Sequence, residues 1–312
     1  NRELDENEKA IKDGGKAAEE SGSKFEGFGK VLKTVGVALG AVAVAAGAAA
    51  VKLGKEVIAA YADYEQLVGG VDTLFKDSSQ EIQRYAANAY KTAGLSANEY
   101  METVTGFSAS LIQSLGGDTE KAAKYADMAI TDMSDNANKM GTDMSSIQNA
   151  YQGFAKQNYT MLDNLKLGYG GTKQEMERLL ADAEKISGVK YDISSYADVV
   201  EAIHVMQESM DIAGTTAKEA EATISGSVNA LKSAVSNLIV GFGDADADME
   251  LLCNNMVDAF KTVVANITPV IENIVAALPT ALDALLTAVG ELLPTLLEAV
   301  TELFSQMLET LL

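Results

Sequence analysis

The chain has 312 residues and a formal net charge of -21 at pH 7, with hydrophobic residues making up 47%. Such an acidic balance disfavours binding to a nucleic-acid backbone or, through charge, to an anionic membrane, because both need clustered Lys and Arg. The single cysteine, Cys253, excludes an intramolecular disulfide, and the single histidine, His204, disfavours a histidine metal cluster or a histidine-based triad. We expect Cys253 to be a small buried residue and His204 an ordinary helix residue.

The first sixty residues divide into a polar segment and an apolar segment. Residues 1–33 alternate in charge sign and contain glycines, which predicts a frayed helix or a linker. Residues 34–51 carry no charge and are rich in Ala, Val and Gly. They fit either an Ala-rich helix buried against partner helices or a membrane-active segment. In the second case Gly36 and Gly40 would let two helices approach closely.

Helical periodicity follows. Apolar residues recur at helical spacing from Val57 to Val68, and Gly69-Gly70 is expected to end that helix. Residues 80–93 predict the next helix, with Gly94 just beyond its end.

Capping boxes, in which a Ser or Thr precedes a Glu by three residues, predict three further helix starts. The pairs are Ser96 with Glu99, Thr172 with Glu175, and Thr216 with Glu219. The helix that begins after Ser96 is expected to continue to Gly116-Gly117. The one that follows Thr172 is expected to end at Gly188, and the one that follows Thr216 to run on through residue 242.

Aspartate and serine predict the remaining starts. Asp118 is expected to begin a helix that ends at residues 135–138 and Gly141, and Asp143 to begin a shorter one. Ser194 or Ser195 is expected to start a helix that runs through Ile212 and is closed by Gly214. Residues 157–171 predict a structured loop with positive φ at Gly168, Gly170 and Gly171. No stretch has the alternation of a strand, so we predict an all-α fold with a helical bundle core.

The C-terminal segment carries an eleven-residue apolar repeat. Ile271, Leu282, Leu293 and Phe304 are eleven apart, and two parallel series share that spacing. The prolines at positions 269, 279 and 294 are expected to kink the helix or to start new ones. No Lys or Arg follows Lys261. Because the apolar stripe is too wide for a solitary soluble helix, it requires partner helices, its own neighbours or lipid.

No motif predicts catalysis, a cofactor or a metal. Asp244, Asp246 and Asp248 imitate a calcium loop but lack its sixth-position Gly and twelfth-position Glu, so they indicate a solvated helix start. Residues 167–173, LGYGGTK, lack phosphate-loop spacing, and residues 106–110, GFSAS, lack the final Gly of a nucleophile elbow. No carboxylate pair stands out for glycoside hydrolysis. The methionines Met128, Met133, Met140 and Met144 are expected to fill the core.

The predicted organisation has three parts. Residues 1–60 form the polar linker and the Ala/Gly-rich apolar helix, residues 61–245 the helical core domain, and residues 246–312 the apolar eleven-residue-repeat helices. The chain begins without Met and stops inside a running apolar pattern, so we expect a fragment of a longer protein.

The segments follow one another in a characteristic order. An Ala/Gly/Val-rich segment precedes AYADYEQLVGGVDTLF, then GFSASLIQSLGGDTEKAAKYADMAITDMSDNANKMG, then NYTMLDNLKLGYGGTKQEMERLL at residues 158–180, then ATISGSVNALKSAVSNLIVGFGD and apolar repeats with Pro. This order resembles the core region of tail tape measure proteins of long-tailed bacteriophages and prophages, especially those of Gram-positive hosts. The segment at residues 158–180 is the most specific piece of the resemblance. The resemblance covers roughly residues 35–250.

The resemblance implies a structural protein without catalytic residues, located in the tail lumen of the virion and assembled in the host cytoplasm. Implied partners are copies of itself, the tail tube protein that polymerises around it, tail assembly chaperones, and distal tail or tip proteins. The protein is ejected ahead of the DNA, and the host membrane is a further contact during this ejection. No direct nucleic-acid binding is expected. Two rival hypotheses stay open: a membrane-active pore or translocation protein, and a helical peptidoglycan hydrolase.

Overall fold

A computed structural model describes residues 46–311. The prediction for residues 1–33 concerns residues outside this range. The prediction for residues 34–51 also lies outside it as far as residue 45. Within residues 46–311 the chain is helical and contains no strand, which confirms the all-α prediction.

The helices follow one another along the chain with short connections. Those of the first half are α1 (Ala46–Phe75), α2 (Ser79–Thr92), α3 (Ala97–Thr105), α4 (Ser108–Ser114), α5 (Thr119–Met140) and α6 (Met144–Phe154). Those of the second half are α7 (Lys173–Ser187), α8 (Tyr196–Ser209), α9 (Thr215–Ala222), α10 (Ile224–Gly241) and α11 (Met249–Leu311). Short 3-10 turns occupy Lys76–Ser78 and Leu162–Leu165.

The chain divides between Val263 and Val264 into two compact units. The first unit holds the hydrophobic core, and the second consists of the remainder of α11 in the described part. The core surrounds α5, which contacts helices before and after it in the chain, including α2, α3, α8 and α9. Full burial of each large apolar side chain there, such as Ile130 or Met133 on α5, contributes about 1.5–3 kcal/mol.

Most predicted helix boundaries are confirmed. Ser96 and Glu99 form the full capping box at the start of α3, and Asp118, Asp143 and Ser195 each accept backbone N–H groups at the starts of α5, α6 and α8. Gly94, Gly141 and Gly188 have the positive φ expected of residues that follow a helix.

The predicted stop at Gly69-Gly70 is wrong, because α1 runs through both glycines to Phe75. The residues beyond them explain the difference. Val71 and Phe75 are fully buried, so continuing the helix places two large apolar side chains in the core. That burial outweighs the cost of about 1 kcal/mol per helical glycine.

The single helix predicted between Ser96 and Gly116 is wrong, because a turn at Gly106 and Phe107 divides it into α3 and α4. A Cβ at Gly106 would lie 2.7 Å from Gln152 Nε2 of α6, so a larger residue here would displace the end of the Gln152 side chain. The turn directs the Phe107 ring into the core, where it meets the Tyr196 ring edge-on at 6.2 Å. The GFSAS motif straddles this turn.

The polar run at residues 135–138 does not end α5, which continues to Met140. Asp135 and Asn136 are fully buried and find partners across the core, so they do not compete with the helix for their own backbone groups. The sequence shows the polar composition of this run but not the partners that its side chains bind across the core.

The prediction of a third capping box, formed by Thr216 and Glu219, is also wrong. Thr216 lies inside α9, whose N-cap is Gly214 with φ +77, and α8 ends at Ser209, before Ile212. A buried carboxylate from α5, that of Asp135, accepts the N–H groups that a local cap would otherwise bind.

The expected continuous helix after Thr216 breaks at Thr223, whose side chain accepts the Gly226 N–H and so starts α10. A Cβ at Gly226 would lie 2.3 Å from the Glu219 backbone oxygen. Glycine therefore allows α9 and α10 to meet closely at the break.

The loop before α7 differs in detail from the prediction. Thr172 caps α7, but the Glu175 carboxylate accepts the Gly170 N–H instead of completing the box. Of the three glycines, only Gly168 has positive φ. Gly171 is required for a different reason, since a Cβ there would lie 2.2 Å from the Thr160 backbone oxygen.

The prolines of α11 start no new helices, because α11 is continuous from Met249 to Leu311. Each proline removes one donor and frees the carbonyl four residues earlier. The residues that carry these carbonyls, Ala265, Val275 and Gly290, are exposed. Water can therefore satisfy the freed groups, which lets the helix continue.

Candidate functional site

The acidic run before α11 forms a helix start, as predicted. Asp248 accepts the Leu251 N–H at 2.9 Å, and Asp244 accepts the Asp246 N–H at 3.0 Å. In residues 46–311 no group of three or more His, Cys, Asp or Glu side chains comes together in a way that could hold a metal ion. The observed hydrogen bonds of Asp244 and Asp248 are to the local backbone.

Cys253 and the four core methionines lie where the sequence predicts. Cys253 is buried, and this burial raises the pKa of its thiol. Met133 is fully buried, and Met128, Met140 and Met144 pack partly buried against the same core. The prediction that these methionines fill the core is confirmed.

The largest exposed feature of the described residues is an apolar surface on α11, within the second unit. Its members are large aliphatic side chains whose exposed fractions lie between 44% and 67%. They are Val270, Ile271, Ile274, Val275, Leu278, Leu282, Leu285, Leu286, Val289, Leu292 and Leu293. We refer to this set as the C-terminal apolar face.

The C-terminal apolar face is broad. With about 100° of rotation per residue, its members cover roughly half of the helix circumference. The opposite half carries acidic and small residues, among them Glu272, Asp283, Ala284 and Glu298. All three prolines also fall outside the arc of the apolar face by the same rotation. The helix therefore has an apolar half suited to contact with another apolar surface and a polar half suited to solvent.

The energetic consequence is a strong drive toward association. Burying one exposed Leu or Ile side chain contributes about 1.5–3 kcal/mol, and exposed apolar patches beyond a few hundred Å² mark interaction sites in soluble proteins. Among the described residues, the segment Met249–Pro294 of α11 is also long and apolar enough to cross a membrane, with a mean hydropathy of 1.5. The apolar chemistry of the face fits contact with protein or with lipid.

A second feature, which sequence reasoning missed, is a buried ion pair in the core. Asp132 on α5 is 1% exposed, and its two carboxylate oxygens lie 2.9 and 3.0 Å from Nδ1 of His204 on α8. The other ring nitrogen, Nε2, lies 3.4 Å from Glu208 Oε1. The contact with Asp132 joins α8 to α5, whereas Glu208 lies one turn further along α8 itself.

The environment shifts the proton affinities of both partners. Burial raises the pKa of Asp132 to about 6, although the imidazole of His204 opposes that shift. The hydrogen bond to Asp132 raises the pKa of His204 above its ordinary value, although burial opposes it. The pair therefore holds a proton more tightly than either group does in the unfolded chain.

Neighbouring polar residues of α5 tie further segments to it. Ser134 donates to the Ala93 carbonyl after α2, and Asn136 donates to the Leu165 carbonyl at 2.9 Å. Asp135 binds the start of α9. One buried turn of α5 thus connects four separate parts of the core through hydrogen bonds.

A sequence signal for this turn does exist. Polar residues follow Met128 at helical spacing: Asp132 comes four residues after it, and Asp135 and Asn136 come three and four residues after Asp132. This spacing places polar side chains on the face that an apolar helix would bury. Polar residues in phase with the core indicate buried partners, but they do not say which residues those partners are.

Comparison with protein-family models, with curated protein sequences and with solved structures finds no match to this chain.

Proposed function

We propose that this chain is a segment of a structural tail tape measure protein, which sets tail length as tube protein polymerises around it. The observation that carries the proposal is the C-terminal apolar face, which covers roughly half of a continuous helix that contains no basic residue after Lys261. A ruler inside a tube needs a long regular element whose apolar surface is covered by partners. The segment order that resembles tape measure proteins supports the same conclusion.

The proposed partners follow from what such a face requires. Copies of the chain, tail assembly chaperones and then the tube protein would cover it in turn, and distal tail or tip proteins would hold one end. The proposed location is the lumen of the virion tail after assembly in the host cytoplasm. The net charge of -21 suits DNA that must pass without binding, since phosphates are repelled by carboxylates. The proposed role is not enzymatic.

A length test distinguishes a ruler from other structural proteins. A helix rises about 1.5 Å per residue, so fully helical, the 312 residues would span roughly 470 Å. Deleting residues 267–299, three eleven-residue units, from the protein encoded by the phage should shorten the tail by about 50 Å. Duplicating the same residues should lengthen it by the same amount, as measured on electron micrographs of virions.

The matched control keeps the length and changes the surface. Substituting Leu285→Ala and Leu286→Ala removes apolar area without removing helical rise, so tails that form should keep the original length. Unchanged tails after both the deletion and the duplication would show that this segment does not measure length.

A second candidate function is supported by the span Met249–Pro294, which has the length and hydropathy of a membrane helix. In this function the chain forms a passage across a membrane, either alone or during ejection. Purified chain should then release dye from uncharged phospholipid vesicles. Leu286→Asp, on the apolar face, should abolish release, because a charge at this depth costs about 2.5–3.5 kcal/mol. Ala284→Asp, on the opposite half, should change release much less. Equal effects of the two substitutions, or no release by the original chain, would rule out this function.

A further inference from the structure

We propose that Asp132 and His204 form a proton-operated latch between α5 and α8, so that loss of their shared proton loosens α8 while the rest of the core stays folded. The proposal concerns the folded chain itself and holds whether or not the proposed role in the tail is correct.

The geometry of the pair makes it the main polar tie at this contact. Asp132 is almost completely buried, and both of its oxygens lie within 3.0 Å of one imidazole nitrogen. A buried carboxylate is tolerated when a positive partner compensates its lost hydration. With a neutral imidazole the hydrogen bond can remain, but the carboxylate loses its counter-charge.

No other positive group compensates Asp132 among the charged and titratable groups that act on the pair. From α8, His204 is accompanied by Glu201 and Glu208, and from α5 Asp132 is accompanied by Asp135. From α6, the Tyr151 hydroxyl faces Asp132, and Tyr125 of α5 donates to Glu201 at 2.6 Å. These neighbours are acids or phenols, so the imidazolium is the one positive charge in this group.

Other polar side chains of α8 reach elements other than α5. The Gln207 side chain is fully buried and interacts with the Tyr151 hydroxyl of α6. The Tyr196 ring meets the Phe107 ring at the turn between α3 and α4. The polar part of the α5–α8 contact therefore depends mainly on the latch, with the exposed-side bond from Tyr125 as its companion.

The direction of the pH dependence follows from the two raised pKa values. Asp132 and His204 bind protons more tightly in the folded chain than in the unfolded one. The contribution of the pair is therefore fully present at low pH. It is lost as pH rises through the folded pKa of Asp132, about 6, and that of His204. For each proton released on opening, the opening equilibrium should increase by up to about tenfold per pH unit in this window.

The test uses the full chain and its single histidine. Because His204 is the only imidazole, one NMR resonance reports its titration. We expect a pKa above the ordinary value of about 6.5. Hydrogen exchange, corrected for the intrinsic pH effect, should show α8 amides opening more often as pH rises above about 6, with those of α2 unchanged.

Two variants separate the latch from general loosening. The double substitution Asp132→Asn with His204→Gln removes both titrating groups, so α8 opening should lose its pH dependence over this range. Glu208→Gln alters a carboxylate whose side chain is 61% exposed, and it should keep most of that dependence. A His204 pKa at or below the ordinary value in the original chain would overturn the proposal, as would α8 opening that does not change with pH. The His204 pKa and the pH dependence of α8 opening are both measured on the original chain. These two measurements therefore test the proposal even if a variant does not fold.

Discussion

Replacing Asp135 with alanine should lower the free energy of unfolding by about 2–5 kcal/mol. Asp135 is fully buried, and its carboxylate oxygens accept the Gly214 N–H at 2.5 Å and the Thr216 N–H at 2.7 Å. Without the carboxylate, both donors at the start of α9 lose their partner in a region that water reaches poorly. Urea unfolding followed by circular dichroism measures the loss.

A matched control shows how much of this effect comes from burial. Asp143 also accepts two N–H groups, those of Ser145 at 2.9 Å and Ser146 at 3.3 Å, but on an exposed helix start. Water can replace its carboxylate, so Asp143→Ala should cost about 1 kcal/mol. If both substitutions lower the free energy of unfolding by the same amount, burial of Asp135 is not the reason that its contact is strong.

Replacing Phe75 with alanine should cost about 3–5 kcal/mol. Phe75 is fully buried in the last turn of α1, beyond the two glycines at which the helix was expected to stop. The substitution removes the apolar contacts of the ring and leaves a cavity that the surrounding helices fill only in part. The same urea experiment gives the value, and an unchanged slope would show that the unfolded state is unaffected.

Ile58 provides the control for Phe75 on the same helix. Its side chain is 71% exposed, so Ile58→Ala should change the free energy of unfolding by no more than about 0.5 kcal/mol. A loss at Phe75 as small as that at Ile58 would mean that the end of α1 does not pack in the core.

Local chemistry was sufficient where a helix end depends only on its own neighbours. Ser96, Asp118, Asp143 and Ser195 cap helices with side chains that reach backbone groups two or three residues away. Periodicity was likewise sufficient for the helical class of the described part and for the apolar repeat. Both follow from the geometry of one helix and need no knowledge of what lies across from it.

Long-range packing decided the remaining boundaries. At Gly69-Gly70 the helix continues because Val71 and Phe75 find the core, and the turn at Gly106 places the Phe107 ring in the core against Tyr196. Thr216 has the spacing of a cap but lies inside a helix, since Asp135, eighty-one residues earlier in the chain, takes that role. These outcomes depend on contacts between residues far apart in the chain, which no local pattern contains.

The sequence by itself determined that the described chain is all helix, that its C-terminal segment carries an apolar repeat without basic residues, and that its acidic run starts a helix. Only the tertiary structure decided which polar residues are buried together. His204 has the appearance of an ordinary helix residue in the sequence, yet Asp132, seventy-two positions earlier, lies 2.9 Å from its ring. The reason is physical: composition and period specify which face of a helix is buried. Whether a polar group on that face is paired depends on the helix packed against it.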